Sequence, residues 1–226
     1  MIPRPENPLV VALDVSDLDA AETLARTLEG TAGLLKVGLE LFAAHGPASV
    51  ERVRAFAPVF LDLKLHDIPT TVEHAARNAA RLGIDMLTVH ALGGEAMVAA
   101  AVRGASDGAP ADRATPAVVA VTVLSSLAGE GLASPASLAF EAVSAGASGV
   151  VVSGDDVSDV RDVVGEEAIL VVPGIRPAGS NGHDQVRILT PEEAIERGAD
   201  YLVVGRTISE SRDPAAVARA ILASVR

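Results

Sequence analysis

Val59-Phe60-Leu61-Asp62-Leu63-Lys64-Leu65-His66-Asp67 begins as an apolar run and ends in charge. A short run of this kind fits a strand covered on both faces, as in a parallel sheet. Working outward, similar runs recur at residues 9–15, 34–37, 59–63, 86–90, 117–124, 149–152, 169–172 and 201–204. Alanine-rich amphipathic segments lie between them, among them residues 18–27, 72–82, 96–104, 135–145, 191–197 and 214–224. Ser134-Pro135 and Thr190-Pro191 each set a capping residue before a proline at the first helical position. Gly83, Gly104, Gly146 and Gly198 follow helical segments, where a C-terminal cap is expected. Strand and helix alternate eight times with no linker or composition break. The expectation is an α/β fold, a (β/α)8 TIM barrel, as one domain over residues 1–226. An open doubly wound sheet is the alternative. No G-x-G-x-x-G follows the first strand, which speaks against its dinucleotide-binding version.

Composition narrows the function classes. The chain has 226 residues, 49% of them hydrophobic, enough for a large core. It has no cysteine, hence no disulfide framework and no thiolate metal site. No apolar stretch approaches the roughly 18 residues of a membrane span, and residues 1–7 do not read as a signal peptide. A cytoplasmic protein with no membrane association is expected. The net charge of −12 argues against nucleic-acid binding through a general basic surface. An anionic ligand would need locally placed cations. The basic side chains are 16 arginines and two lysines, Lys36 and Lys64. Lysine is a compact ammonium that can give up a proton, whereas arginine stays protonated. Composition alone does not separate a use for that property from chance.

In a barrel of this kind the active site lies at the carboxyl ends of the strands. Those ends carry Asp14, Lys36, Asp62 with Lys64, His90, Thr122 with Ser125, Ser153, the run Pro173-Gly174-Ile175-Arg176, and Gly205-Arg206. Any one of them could be an ordinary loop residue or helix cap. For Ser153 that plainer reading is preferred. Residues two apart on a strand point the same way, about 7 Å apart along the chain. Asp62 and Lys64 would therefore share a face, opposite Leu61, Leu63 and Leu65. Charges within so apolar a strand must pair. A structural ion pair and a catalytic pair both satisfy that condition. Asp67 lies in the turn beyond the strand and could reach a neighbouring subunit. Residues 173–189 form a long polar loop after the seventh strand, where phosphate sites and lids are common. Arg176, Gln185, Arg206 and the backbone N–H of Gly205 are the phosphate candidates. The five histidines show no ligand spacing, so no metal site is expected.

Seven segments match one family in order across nearly the whole chain: LVVALDV, LLKVGLELF, FLDLKLHDIPTTV, TVHALGG, VTVLSS, PGIRP with the following HDQ, and DYLVVGRTI. The chain resembles the orotidine 5'-phosphate decarboxylases. The D-x-K-x-x-D run is shared with a wider group of phosphate-substrate barrels. The combination with Lys36, PGIRP and VGR is far more specific. The resemblance implies decarboxylation of orotidine 5'-phosphate to UMP, the last step of pyrimidine nucleotide synthesis, without metal or cofactor. It implies that Asp14 and Lys36 hold ribose hydroxyls, that Asp62 lies by the substrate carboxylate, and that Lys64 is the general acid. It implies a homodimer in which Asp67 and Thr71 enter the partner's site, with Ile68 a further substrate contact. Ser125, where the family commonly has threonine, would bind the pyrimidine. Arg176, Gln185, Gly205 and Arg206 would hold the phosphate. His183 and Thr207, where proline is frequent, are small departures. The nearest rival is a magnesium-dependent sugar-phosphate decarboxylase or aldolase of the same suprafamily. That rival needs a carboxylate where this chain has Lys36. A non-catalytic phosphate-binding barrel would be expected to lose Lys64 or an aspartate. A Schiff-base lysine would need a depressed pKa, which flanking aspartates oppose.

Overall fold

A computed structural model describes residues 5–123, 134–177 and 189–225. Its frame is eight parallel strands: β1 (Leu9–Ala12), β2 (Leu34–Gly38), β3 (Val59–Leu65), β4 (Met86–His90), β5 (Ala117–Val121), β6 (Gly149–Val151), β7 (Ile169–Pro173) and β8 (Tyr201–Val204). Each pairs with the next, and β8 pairs with β1, closing a barrel. The described helices are α1 (Leu18–Thr27), α2 (Leu39–His45), α3 (Pro47–Val53), α4 (Pro69–Ala80), α5 (Gly94–Gly108), α6 (Pro135–Ser144), α7 (Val157–Val164), α8 (Pro191–Glu196), α9 (Arg206–Ser209) and α10 (Pro214–Ser224). No helix among the described residues is long and apolar enough to cross a membrane.

Two apolar layers result. One lies between strands and helices and takes in residues such as Leu35, Leu61, Leu87, Val98 and Leu170. The other fills the barrel with Val10, Leu34, Phe60, Met86, Val119, Ile169 and Val171. The strands are therefore apolar on both faces, which is why they read as continuous runs.

Most boundaries fall within a few residues of the sequence expectation. Thr190 forms a capping box with Glu193, as its position before Pro191 suggests. Ser134 precedes α6 without a side-chain cap bond, so only the proline half of that expectation holds. Gly104 is not a cap at all. It lies inside α5, where a methyl group would sit 2.1 Å from the Glu73 carbonyl oxygen of α4. Gly108 faces the Arg77 carbonyl at the same distance. The two glycines let α5 lie directly against the backbone of α4.

Candidate active site

Period two carries each strand from the barrel core up to its mouth. Two residues beyond Leu34 stands Lys36, and two beyond Phe60 stands Asp62. Both charged groups are buried. Asp62 takes Lys64 Nζ at 2.8 and 2.9 Å on its two oxygens, and the Thr88 hydroxyl at 2.9 Å on Oδ1. Lys36 Nζ lies 3.3 Å from Asp62 Oδ2 and 3.4 Å from Asp14 Oδ1. The result is one alternating chain of charge, Asp14–Lys36–Asp62–Lys64. Burial pushes the Asp62 carboxyl up. The charges of Lys36 and Lys64, with hydrogen bonds from Lys64 and Thr88, outweigh burial and hold it below the usual carboxylate value.

Asp62 and Lys64 do meet, but not through plain strand alternation. The register of β3 on β4 runs from Leu61 opposite Leu87 to Leu65 opposite Val89. Four steps on β3 thus match two on β4, which is a bulge. Lys64 sits within it at φ 50°, the left-handed region. The backbone N–H of Lys64 donates to the Thr88 hydroxyl at 2.8 Å. The bulge, rather than the pleat, turns the ammonium back onto Asp62.

Space around Asp14 is kept by glycine. A methyl group at Gly38 would meet Lys36 Nζ at 3.2 Å and Asp14 Oδ1 at 3.6 Å, and one at Gly205 would meet Asp14 Oδ2 at 3.3 Å. Arg176, following β7, and Arg206, opening α9, line the same cavity as the four charges. The cavity holds about 270 Å³, and Val121, Val151 and Val203 are among its apolar walls. Ile175 pairs with Leu189, and the Arg176 N–H donates to the Leu189 carbonyl at 3.0 Å. These contacts bring together the two described flanks of the 173–189 segment. One cavity therefore brings ammonium, carboxylate and guanidinium groups together with apolar wall. That suits a ligand with a phosphate at one end and a reacting anionic group at the other.

Comparison with known proteins follows the same line. Residues 7–221 match the Orotidine 5'-phosphate decarboxylase / HUMPS family. The chain belongs to this family. The orotidine 5'-phosphate decarboxylase of Anaeromyxobacter sp. (strain K) is 52% identical, covering 98% of this chain and all of its own. That of Moorella thermoacetica is 47% identical, covering 96% of this chain and 91% of its own. The crystal structure of orotidine 5'-phosphate decarboxylase from Lactobacillus acidophilus superposes with a TM-score of 0.86 at 35% identity. It covers 98% of this chain and 100% of that one. The chain is accordingly a decarboxylase of this family.

The remaining candidates of the decarboxylase fall into three groups. Gly205 lines the cavity together with Thr207. Asp67, Ile68 and Thr71 are exposed on the rim beyond β3, and none of them lines the cavity of their own chain. The Asp67 carboxylate accepts the Ile68 N–H at 2.6 Å. Ser125, His183 and Gln185 lie outside the described residues.

Sequence reasoning undervalued two hydroxyls. Ser153 is buried, makes no cap bond, and lines the cavity, so it is more than the plain loop residue expected. Thr88 was hidden inside the apolar run of β4, where a β-branched threonine looks like any strand residue. Thr122, by contrast, donates to the Val151 carbonyl at 3.1 Å and ties β5 to β6. His66 and His90 come within 5.4 Å, ring to ring. Burial, then electrostatic coupling to His66 and Lys64, lowers the His90 pKa against the opposing pull of Asp62. Among the described residues no cluster of three His, Asp or Glu could hold a metal.

Proposed function

We propose that the chain decarboxylates orotidine 5'-phosphate to UMP, the last step of de novo pyrimidine nucleotide synthesis, with no metal or cofactor. The observation that carries this reading is the Asp14–Lys36–Asp62–Lys64 charge chain lining one cavity together with Arg176 and Arg206. The bond from C6 to the carboxylate breaks, CO2 leaves, and its electron pair stays on C6. The Lys64 ammonium stabilises that charge and donates its proton to C6, and solvent returns the proton to Lys64 Nζ. Asp62 holds the ammonium at 2.8 Å, and fixed charge of this kind is effective because it needs no rearrangement during the reaction. Asp62 also stands where the substrate carboxylate would crowd it. Asp14 and Lys36 hold the ribose hydroxyls, and Ser125 binds the pyrimidine. Arg176, Gln185, Arg206 and the Gly205 N–H take the phosphate, a remote grip whose binding energy assists the reacting end.

The metal-free reading rests on Lys36. Its ammonium already lies 3.3–3.4 Å from both Asp62 and Asp14, so a divalent ion between those carboxylates would have to displace it. The reading extends to a cytoplasmic homodimer. Leu39, Ile68 and Leu92 are exposed apolar residues that follow β2, β3 and β4 on one rim, a pattern suited to burial against a second copy. Asp67, Ile68 and Thr71 would then enter the partner's cavity.

Purified protein treated with EDTA and mixed with orotidine 5'-phosphate tests the proposal. Loss of the substrate's ultraviolet absorbance at an undiminished rate is expected. Activity lost to chelation and restored by magnesium would replace this reading with a metal-dependent sugar-phosphate enzyme.

A further inference from the structure

Thr88 is fully buried in β4 and does not line the cavity. Its single oxygen nevertheless meets both members of the reacting pair. It receives the backbone N–H of Lys64 at 2.8 Å and lies 2.9 Å from Asp62 Oδ1. A backbone N–H can only donate, so the hydroxyl must accept there. Its one proton is then directed to the carboxylate. Lys64 is the one residue other than glycine with positive φ among the described residues, and it lies in the segment where β3 slips two residues against β4. A left-handed lysine is unfavourable on its own and persists where surrounding contacts hold it.

We propose that Thr88 is a positioning residue for catalysis, its hydroxyl clamping the Lys64 backbone and the Asp62 carboxylate in one geometry. The clamp acts on the main chain of Lys64 and on Oδ1 of its partner Asp62. Ammonium direction and carboxylate direction are therefore fixed together. The inference rests on the proposed roles of Lys64 and Asp62. A hydrogen bond to a charged group also contributes to keeping Asp62 ionised, in line with the lowered value of its carboxyl.

The test compares Thr88→Val, which keeps the shape and loses the hydroxyl, with Thr88→Ser, which keeps the hydroxyl. With orotidine 5'-phosphate as substrate, Thr88→Val should lower kcat about 10- to 100-fold, the range for losing a bond to a charged group. KM should change by no more than about threefold, because Thr88 does not touch the cavity. The acid limb of the kcat profile should move to higher pH, since Asp62 loses a group that favours its ionised form. Thr88→Ser should retain turnover within about threefold of the parent, as it keeps the same donor and acceptor. A residue of purely structural importance would lower the melting temperature without moving the pH limb. If Thr88→Val does not fold, Thr88→Ser and Thr88→Cys carry the test, because a thiol is a weak donor. Serine well above cysteine supports the clamp, and equal turnover overturns it. Lys64→Ala is measured beside them. A dead Lys64→Ala with a fully active Thr88→Val sinks the clamp alone, whereas an active Lys64→Ala sinks the underlying assignment of Lys64.

Discussion

The two ends of the barrel each bury an ion pair, and they use it differently. At the amino end, Arg161 of α7 places all five of its N–H donors within the protein. They reach the carbonyls of Gly165, Ala168 and Gly198 and the Asp200 carboxylate, the last at 2.6 Å. Asp200 also accepts the Leu170 N–H at 2.8 Å. This network ties α7 to the starts of β7 and β8. At the mouth, among the described residues, Lys64 directs its ammonium to one carboxylate and Lys36 shares itself between two. An ammonium has three protons, so the mouth keeps donors in hand beside an open cavity. A closed network holds the fold, and an open one is ready for a ligand.

The largest effect that would break this contrast concerns the mouth. Lys64→Ala is expected to lower kcat/KM by at least about 10⁴-fold, combining loss of the proposed general acid and of the fixed charge. Its melting temperature should stay near that of the parent. Lys64→Arg should fail as well, because a guanidinium is larger and a poor proton donor. Orotidine 5'-phosphate turnover and a thermal melt check both halves, and a collapsed melt would make Lys64 as structural as Arg161.

The amino end should behave in the reverse way. Arg161→Ala leaves Asp200 and three carbonyls without their guanidinium, which is expected to cost about 3–5 kcal/mol of stability. For a chain of this size that lowers the melting temperature by roughly 10 °C. Well below the melt, kcat and KM should match the parent. A kinetic defect in the folded variant would show that the two ends are coupled.

A smaller loss sharpens the contrast within the mouth. Arg206→Ala removes a proposed phosphate donor and should lower kcat/KM about 100-fold through lost charge-assisted bonds. Guanidinium ion added to the variant should restore part of the rate. Rescue absent at saturating guanidinium would argue against Arg206 as a phosphate contact.

The smallest expected effect is on stability against pH. The His90 pKa is lowered in the folded protein, by burial first and then by His66 and Lys64. The unfolded chain, with an ordinary imidazole, therefore binds more protons between the folded value and about 6.5. Stability contributed by neutral His90 is whole above that window and declines as pH falls through it. Urea midpoints taken at about pH 7.5 and about pH 5.5 should differ more for the parent than for His90→Asn.

How much of this was legible in the sequence varies with how local the cause is. The frame was legible because its strands are apolar on both faces. The residues 86–90 and 201–204 come out with the expected ends for that reason. Helices α2 and α3 were passed over, since two seven-residue helices around Gly46 lack a long periodic stripe. Gly104 was misread because a glycine before a loop and a glycine beneath a neighbouring helix look alike until α4 is in place. At the mouth, Asp14, Lys36, Asp62 and Lys64 stood out as charges at strand ends. The bulge that makes two of them touch depends on the register of β3 against β4, which no residue of β3 announces. Thr88 does not stand out, and Ser153 reads as a plain loop residue, for a related reason. A hydroxyl gains its meaning from what lies across from it.

Lys36 and Lys64, the two amine-bearing side chains of this protein, both line the cavity described above, and every other basic side chain is an arginine or a histidine. Lys36 is the more deeply buried of the two, with 11% of its side chain exposed against 30% for Lys64. The exterior thus carries no lysine to intercept an amine-directed reagent. Apart from a chain terminus, an acylating or aldehyde probe that marks the folded protein has its side-chain targets within the cavity, Lys64 being the more accessible. Covalent labelling of this enzyme therefore reports on the cavity, with ligand occupancy read as label refused.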